Sequence, residues 1–185
     1  MNSDLRIVYK EACLCEACEL CHSRTNIVFG SGSETPRVML VGEAPGENED
    51  LSGEPFVGRA GKLLDKLLIE AGISKEDVYI TNILKCRPPK NRDPKPCEAD
   101  CCMPFLNRQI EILNPRVIVC LGRISAMRLI NPKFKISCER GIWFLRDGRD
   151  ICAVYHPSFI LRDPRKHDDM LGDLIKIREK IESTD

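Results

Sequence analysis

Four short apolar runs, each broken at a glycine, asparagine or histidine, restrict the folds open to this chain more than any other feature. Val38–Val41 stops at Gly42, Val78–Thr81 at Asn82, Val117–Leu121 at Gly122, and Ile151–Tyr155 at His156. Short runs rich in Val and Ile, with little polar alternation, suit strands covered on both faces. Helical patterns lie between them. One runs from about Ala60 to Ala71, with Leu63, Leu64, Leu67 and Leu68 as its apolar stripe and Gly72 as its stop; others cover Pro96–Leu113 and Ile124–Leu129. A last amphipathic helix spans about Asp168–Ile181, and Ile142–Leu145 pairs with Ile151–Tyr155 as a hairpin turning at Asp147-Gly148. This alternation predicts an α/β fold: a three-layer α/β/α sandwich with a central, mainly parallel four-stranded sheet, in one domain of 185 residues.

Parallel strands deliver the loops that follow them to one edge, which is where open α/β sheets bind ligands. Glu43, Asn82 and His156 therefore share one crevice. Asn82 offers an amide, one acceptor and two donors, to a carbonyl beside an N–H, or satisfies its own turn. His156 is either a donor near neutral pH or a structural histidine. Phe56, between Pro55 and Gly58, presents a face for a flat ligand or belongs to the core. Lys and Arg together equal Asp and Glu, at 28 each, so any binding to nucleic acid rests on local clusters. Two such clusters, Lys85–Lys95 and Arg162–Lys166, follow the second and last strands and are expected beside the crevice, with Ser158–Leu161 as an apolar element between them.

Cysteine is over-represented, with 11 residues. There is no signal-peptide pattern and no apolar run of membrane-spanning length, so the chain is expected in the cytosol, where disulfides are disfavoured and a metal centre is the first reading. Cys13, Cys15, Cys18 and Cys21 form a C-x-C-x-x-C-x-x-C run, of which Cys15-x-x-Cys18-x-x-Cys21 suits half of a ferredoxin-type iron–sulfur site or half of a zinc site. The remaining ligands must come from afar, from among Cys86, Cys97, Cys101 and Cys102.

Taken as an ordered set, several segments closely resemble the family 4 uracil-DNA glycosylases, an iron–sulfur group. They are Cys15-x-x-Cys18-x-Leu20 with Arg24-Thr25, Gly42-Glu43-Ala44-Pro45-Gly46 with Glu49-Asp50, and Pro55-Phe56-Val57-Gly58. Val78–Asn82, Lys85-Cys86-Arg87-Pro88-Pro89, Glu98-x-x-x-Cys102 and His156-Pro157-Ser158 with Leu161-Arg162 complete it. The resemblance implies a 4Fe–4S cluster on Cys15, Cys18, Cys86 and Cys102, stapling an N-terminal arm (1–30) to the 85–102 loop. It implies hydrolysis of the N-glycosidic bond of deoxyuridine in base excision repair, on uracil flipped out of DNA. Phe56 would stack on the base, Asn82 would pair with its edge, Glu43, Ala44 and Pro45 would wall the pocket, and His156 would stabilise charge on O2. Related groups have an Asp for the attacking water where this chain has Ala44, which leaves Glu43 as the nominee. Arg87, Arg92, Leu161 and Arg162 would contact DNA. The implied protein is a monomer acting on single- or double-stranded uracil-containing DNA, without membrane contact. A sliding clamp is the partner to test, although Ile177–Asp185 carries no obvious docking peptide.

Two rival readings follow from the residues alone. One is a non-catalytic iron–sulfur protein that binds nucleic acid or carries electrons, which would need no Asn82/Phe56/His156 pocket. The other is a zinc-stabilised nucleotide hydrolase, against which stands the lack of a G-x-x-x-x-G-K phosphate loop.

Overall fold

The computed structural model describes residues 2–183; the last two residues of the Ile177–Asp185 tail lie outside the described set. In chain order the principal elements are α1 (Ser3–Cys13), β1 (Ser31–Gly32), β2 (Val38–Gly42), α2 (Glu47–Ser52), α3 (Arg59–Ala71) and β3 (Val78–Asn82). They continue with α4 (Pro96–Leu113), β4 (Val117–Leu121), α5 (Arg123–Leu129), α6 (Ile136–Glu139), β5 (Phe144–Arg146), β6 (Arg149–Val154), α7 (Pro157–Arg162) and α8 (His167–Glu182).

The sheet is six-stranded, in the order β1-β3-β2-β4-β6-β5, rather than four-stranded. The expected four parallel strands form its centre. β1 and β5 add antiparallel edges. β1 has only two residues, Ser31 and Gly32, and leaves no periodic trace in the sequence. β5 is the hairpin strand, shorter than expected, and joins β6 through Asp147 and Gly148, both at positive φ (49° and 75°) as a tight right-twisted hairpin requires.

Alternate residues of the central strands build two cores. On one face Met39, Val41, Tyr79, Ile118 and Cys120 pack with Leu5, Val8 and Ala12 of α1 and with Ala99, Leu106 and Leu113 of α4. On the other, Val38, Leu40, Val78, Val119 and Cys152 meet Leu64, Leu67 and Leu68 of α3 and Met170, Leu174 and Ile177 of α8. Both faces of the parallel strands are thus covered. Cys120 and Cys152 are buried among these apolar side chains as small hydrophobes.

The sequence reading left α1 unassigned. Its signals are an Asn2 cap, whose Oδ1 accepts the Asp4 N–H at 2.9 Å, and apolar residues at Leu5, Val8 and Ala12. Two further expectations need correction. Lys85, read as part of a cationic loop, is 1 % exposed and lies in the interior. Ile160 is buried against α3 and α8, so the apolar tip after His156 reduces to the exposed Leu161 and the half-buried Phe159.

Candidate active site

The four parallel strands end around a cavity of about 870 Å³ lined by Glu43, Ala44, Pro45, Phe56, Asn82, Arg92, Asp93, Gly122, Arg123, His156, Ser158 and Arg162, among others. The three side chains expected to meet do meet. Asn82 is the last residue of β3 and sits in register with Gly42, the last residue of β2. It is 2 % exposed, and its Oδ1 is buried with no hydrogen-bond partner among the described residues. A buried amide acceptor without a donor is costly, and natural interiors rarely keep one without a use for it.

Close packing of this corner depends on two absent side chains. A Cβ on Gly42 would lie 2.3 Å from Asn82 Oδ1 and 2.7 Å from Phe56 Cζ. A Cβ on Gly61, in the first turn of α3, would lie 1.5 Å from the Phe56 carbonyl oxygen. Phe56 itself has φ +56°, a left-handed conformation that is strained for an aromatic residue and is kept only where the surroundings enforce it. Gly→Ala in a helix normally stabilises by about 1 kcal/mol. Here Gly61→Ala is expected to destabilise by ~2 kcal/mol or more, because backbone must move. Thermal denaturation measures it, and a raised Tm would contradict the Phe56 geometry.

His156 caps α7. Its Nδ1 accepts the Ser158 N–H at 3.1 Å and lies 2.8 Å from Ser158 Oγ. An Nδ1 that accepts from a backbone amide carries no proton, so the ring's one hydrogen is on Nε2. Burial pushes the imidazole pKa down to about 4, and the nearby Arg162 charge acts in the same direction. His156 is therefore a neutral donor at physiological pH. Its ring centroid is 5.9 Å from that of Phe56 with 33° between the planes, so the two form adjoining walls of the cavity.

Glu43 follows Gly42. Burial and the Asp93 carboxylate push its pKa up to about 7, against the opposing pull of Arg123. Asp93 and Arg123 pair at 2.7 Å across the cavity mouth. Neither was assigned a role from sequence, although Arg123 follows β4 by the same edge rule that located the others. Glu49 and Asp50 prove to be braces. Glu49 accepts the Gly46 and Gly58 N–H groups at 3.1 and 2.8 Å, and Asp50 accepts the Thr25 N–H at 2.9 Å.

Of the cations and apolar tips expected at the rim, Arg92 and Arg162 line the cavity, joined by Lys166. Arg92 is held by Glu98 through two contacts of 2.9 and 2.5 Å. Arg87 stands off the cavity, paired with Asn91 at 2.8 Å and Glu47 at 3.4 Å. Leu161 is 38 % exposed and neighbours Arg162.

The thiols gather on the α1–α4 side. Cys15 and Cys18 follow α1, Cys86 follows β3, and Cys102 lies in α4. Cys15 lies within electrostatic range of Cys18, Cys86 and Cys102, and Cys86 within range of Cys18 and Cys102. The Lys85 N–H donates to Cys102 Sγ at 3.2 Å, and Arg24 donates to Cys86 Sγ at 3.6 Å. Among the described residues no group of three or more His, Cys, Asp or Glu side chains is arranged to hold a metal ion. A tetrahedral zinc, with each sulfur about 2.3 Å away, needs such a tight group. Burial pushes the Cys102 thiol up to about 11, so only a strongly bound cationic centre would make it a ligand at neutral pH. The amide and guanidinium donors aimed at the Cys102 and Cys86 sulfurs are of the kind that support metal-bound thiolates. Cys101 donates its thiol to the Ala17 carbonyl at 3.3 Å and also lies within electrostatic range of Cys18.

Residues 29–177 match the family model of the uracil DNA glycosylase superfamily, and the chain belongs to that superfamily. It is similar to the type-4 uracil-DNA glycosylase of Archaeoglobus fulgidus, 45 % identical over 180 residues that cover 93 % of this chain and 90 % of that protein. The type-4 enzyme of Thermotoga maritima is 47 % identical over 163 residues, or 86 % of this chain and 84 % of that one. A type-5 uracil-DNA glycosylase of Thermus thermophilus matches at 34 % over 151 residues, 71 % of this chain and 68 % of the other. Within the superfamily, the chain is a type-4 member.

Proposed function

We propose that this protein is a monomeric DNA-repair hydrolase of one domain that flips uracil out of DNA and hydrolyses its N-glycosidic bond, leaving an abasic site. One observation carries the reading: the orphaned Oδ1 of Asn82, buried at the end of β3. That acceptor wants an N–H, and the amide donor beside it wants a carbonyl; the N3–H and O4 edge of uracil offers both. Phe56 packs against the ring. The Nε2–H of His156 donates to O2, where negative charge grows as the bond breaks, and it costs no reorganisation because Ser158 fixes the tautomer. Glu43, as carboxylate, takes a proton from the attacking water. Arg92, Arg123, Arg162 and Lys166 provide phosphate contacts around the mouth, and Leu161 fills the space left in the stack.

Cys15, Cys18, Cys86 and Cys102 would hold a 4Fe–4S cluster. When bound, it supplies a cross-link between the arm that follows α1 and the 85–102 loop rather than a reacting group. The sulfur-directed donors of Lys85 and Arg24 support Cys102 and Cys86 as members of this ligand set.

A uracil-containing oligonucleotide, incubated with the protein and then treated with hot alkali, is expected to break at the uracil position. Intact strands across the temperature range would overturn the proposal. Because Glu43 must be ionised, the single-turnover rate is expected to rise with pH through about 7 and then level, its carboxyl being protonated and inert below that range. Glu43→Gln should be slow and should lose that ascending limb; a variant that retained it would assign the limb to another group.

A further inference from the structure

One buried cation has no part in the reaction just described. The Lys85 ammonium donates to Thr81 Oγ1 at 2.6 Å, to the Asn82 carbonyl at 2.9 Å and to Gln109 Oε1 at 2.6 Å. All three acceptors are neutral, and among the described residues no ion pair joins Lys85 to a carboxylate. Burial disfavours the charged form of Lys85 even with its hydrogen bonds complete, so an ammonium here needs a counter-charge. The Lys85 backbone N–H donates to the Cys102 sulfur at 3.2 Å, and as a cluster ligand that sulfur would be a thiolate of opposite sign to the ammonium.

A second cation stands at the other sulfurs. The Arg24 guanidinium donates to the Cys13 and Cys15 carbonyls, each at 2.8 Å, and to Cys86 Sγ. It too lacks a carboxylate partner among the described residues, and its charge interacts with Cys86, Cys21 and Cys15. Glu98, the carboxylate within range of Cys18, is already matched by Arg92 at 2.5 Å.

We propose that Lys85 and Arg24 are the internal counter-ions of an iron–sulfur cluster, one stationed at Cys102 and the other at Cys86 and Cys15. This rests on the ligand set proposed above. A four-iron, four-sulfide cluster on four thiolates carries a net charge of about −2 when oxidised and about −3 after taking up one electron. One buried and one half-buried positive charge offset that burden and favour the reduced state, so they set the reduction potential as well as cluster retention. Lys85 also grips the backbone of Asn82, so one ammonium spans the base-reading strand and the metal centre.

The test uses anaerobically purified holoprotein. Iron content and visible absorbance of the unaltered protein come first, followed by mediated titration of the midpoint potential and the rate of iron loss to a chelator. The variants are Arg24→Gln, charge-retaining Arg24→Lys, and the pair Lys85→Met with Gln109→Leu, which removes the ammonium together with its main buried acceptor. Both neutralising changes should move the potential to more negative values and speed iron loss by about tenfold or more. Arg24→Lys should stay near the parent on both measures. If the parent holds iron and the folded neutral variants keep its potential and its rate, the counter-ion role is overturned while the ligand set stands. If the parent holds no iron, the ligand set itself has failed. Should the Lys85 pair not fold, the Arg24 comparison decides alone: a negative shift supports the role, and an unchanged potential ends it.

Discussion

Asn82→Ala is expected to lower the single-turnover rate on uracil-containing DNA by about 10²–10³, the loss of two hydrogen bonds to the base edge at roughly 1.5–2 kcal/mol each. Its effect on stability should run the other way. In the free protein the Oδ1 of Asn82 is a buried acceptor with no partner among the described residues, so truncation removes a cost together with the amide. The Tm is expected to hold or rise slightly while activity collapses, as happens where a site keeps a destabilised group for binding. Calorimetry beside a gel-based excision assay measures both. A large fall in Tm would mean that Asn82 is a structural residue, and the pocket would lose its reader.

The second large effect is at His156. Removing a preorganised donor from a developing oxyanion typically costs about 10²–10³ in rate, and His156→Ala is expected to lose that much. The more discriminating readout is the pH profile. Burial and Arg162 hold the imidazole pKa at about 4, so the ring is neutral well below the working range. The variant should therefore be slower at every pH from 5 to 9 and yet retain the ascending limb near 7 that belongs to Glu43. Had the imidazolium been the active form, the unaltered enzyme would fade as pH rose above 4. Loss of the limb in His156→Ala would reassign the titrating group.

The central sheet and the meeting of Asn82, Phe56 and His156 were legible because strand runs that stop at Gly42, Asn82, Gly122 and His156 leave little choice about where their ends go. The edges were not. β1 consists of Ser31 and Gly32, two residues placed by pairing with Tyr79 and Ile80, and such pairing leaves no pattern in the chain itself. Lys85 was misplaced for a related reason. A lysine between Leu84 and Cys86 reads as surface charge, and only Thr81, Gln109 and the Asn82 carbonyl, supplied by tertiary packing, make its burial tolerable. The positive φ of Phe56 was equally hidden, since its cause lies in the α3 backbone approaching over Gly61. For the four thiolates, spacing offered half a site, and the far half became specific only through resemblance.

The hairpin turn at Asp147-Gly148 sits at the far rim of the sheet, where β6 begins rather than ends. An extra residue within β2 or β3 would exchange the amide at the pocket for a neighbouring aliphatic or hydroxyl group, with nothing intermediate to select. Added length at that remote corner changes no strand offset. Tags, dyes or whole inserted modules have a natural attachment point there, and divergence by insertion has room in the same place.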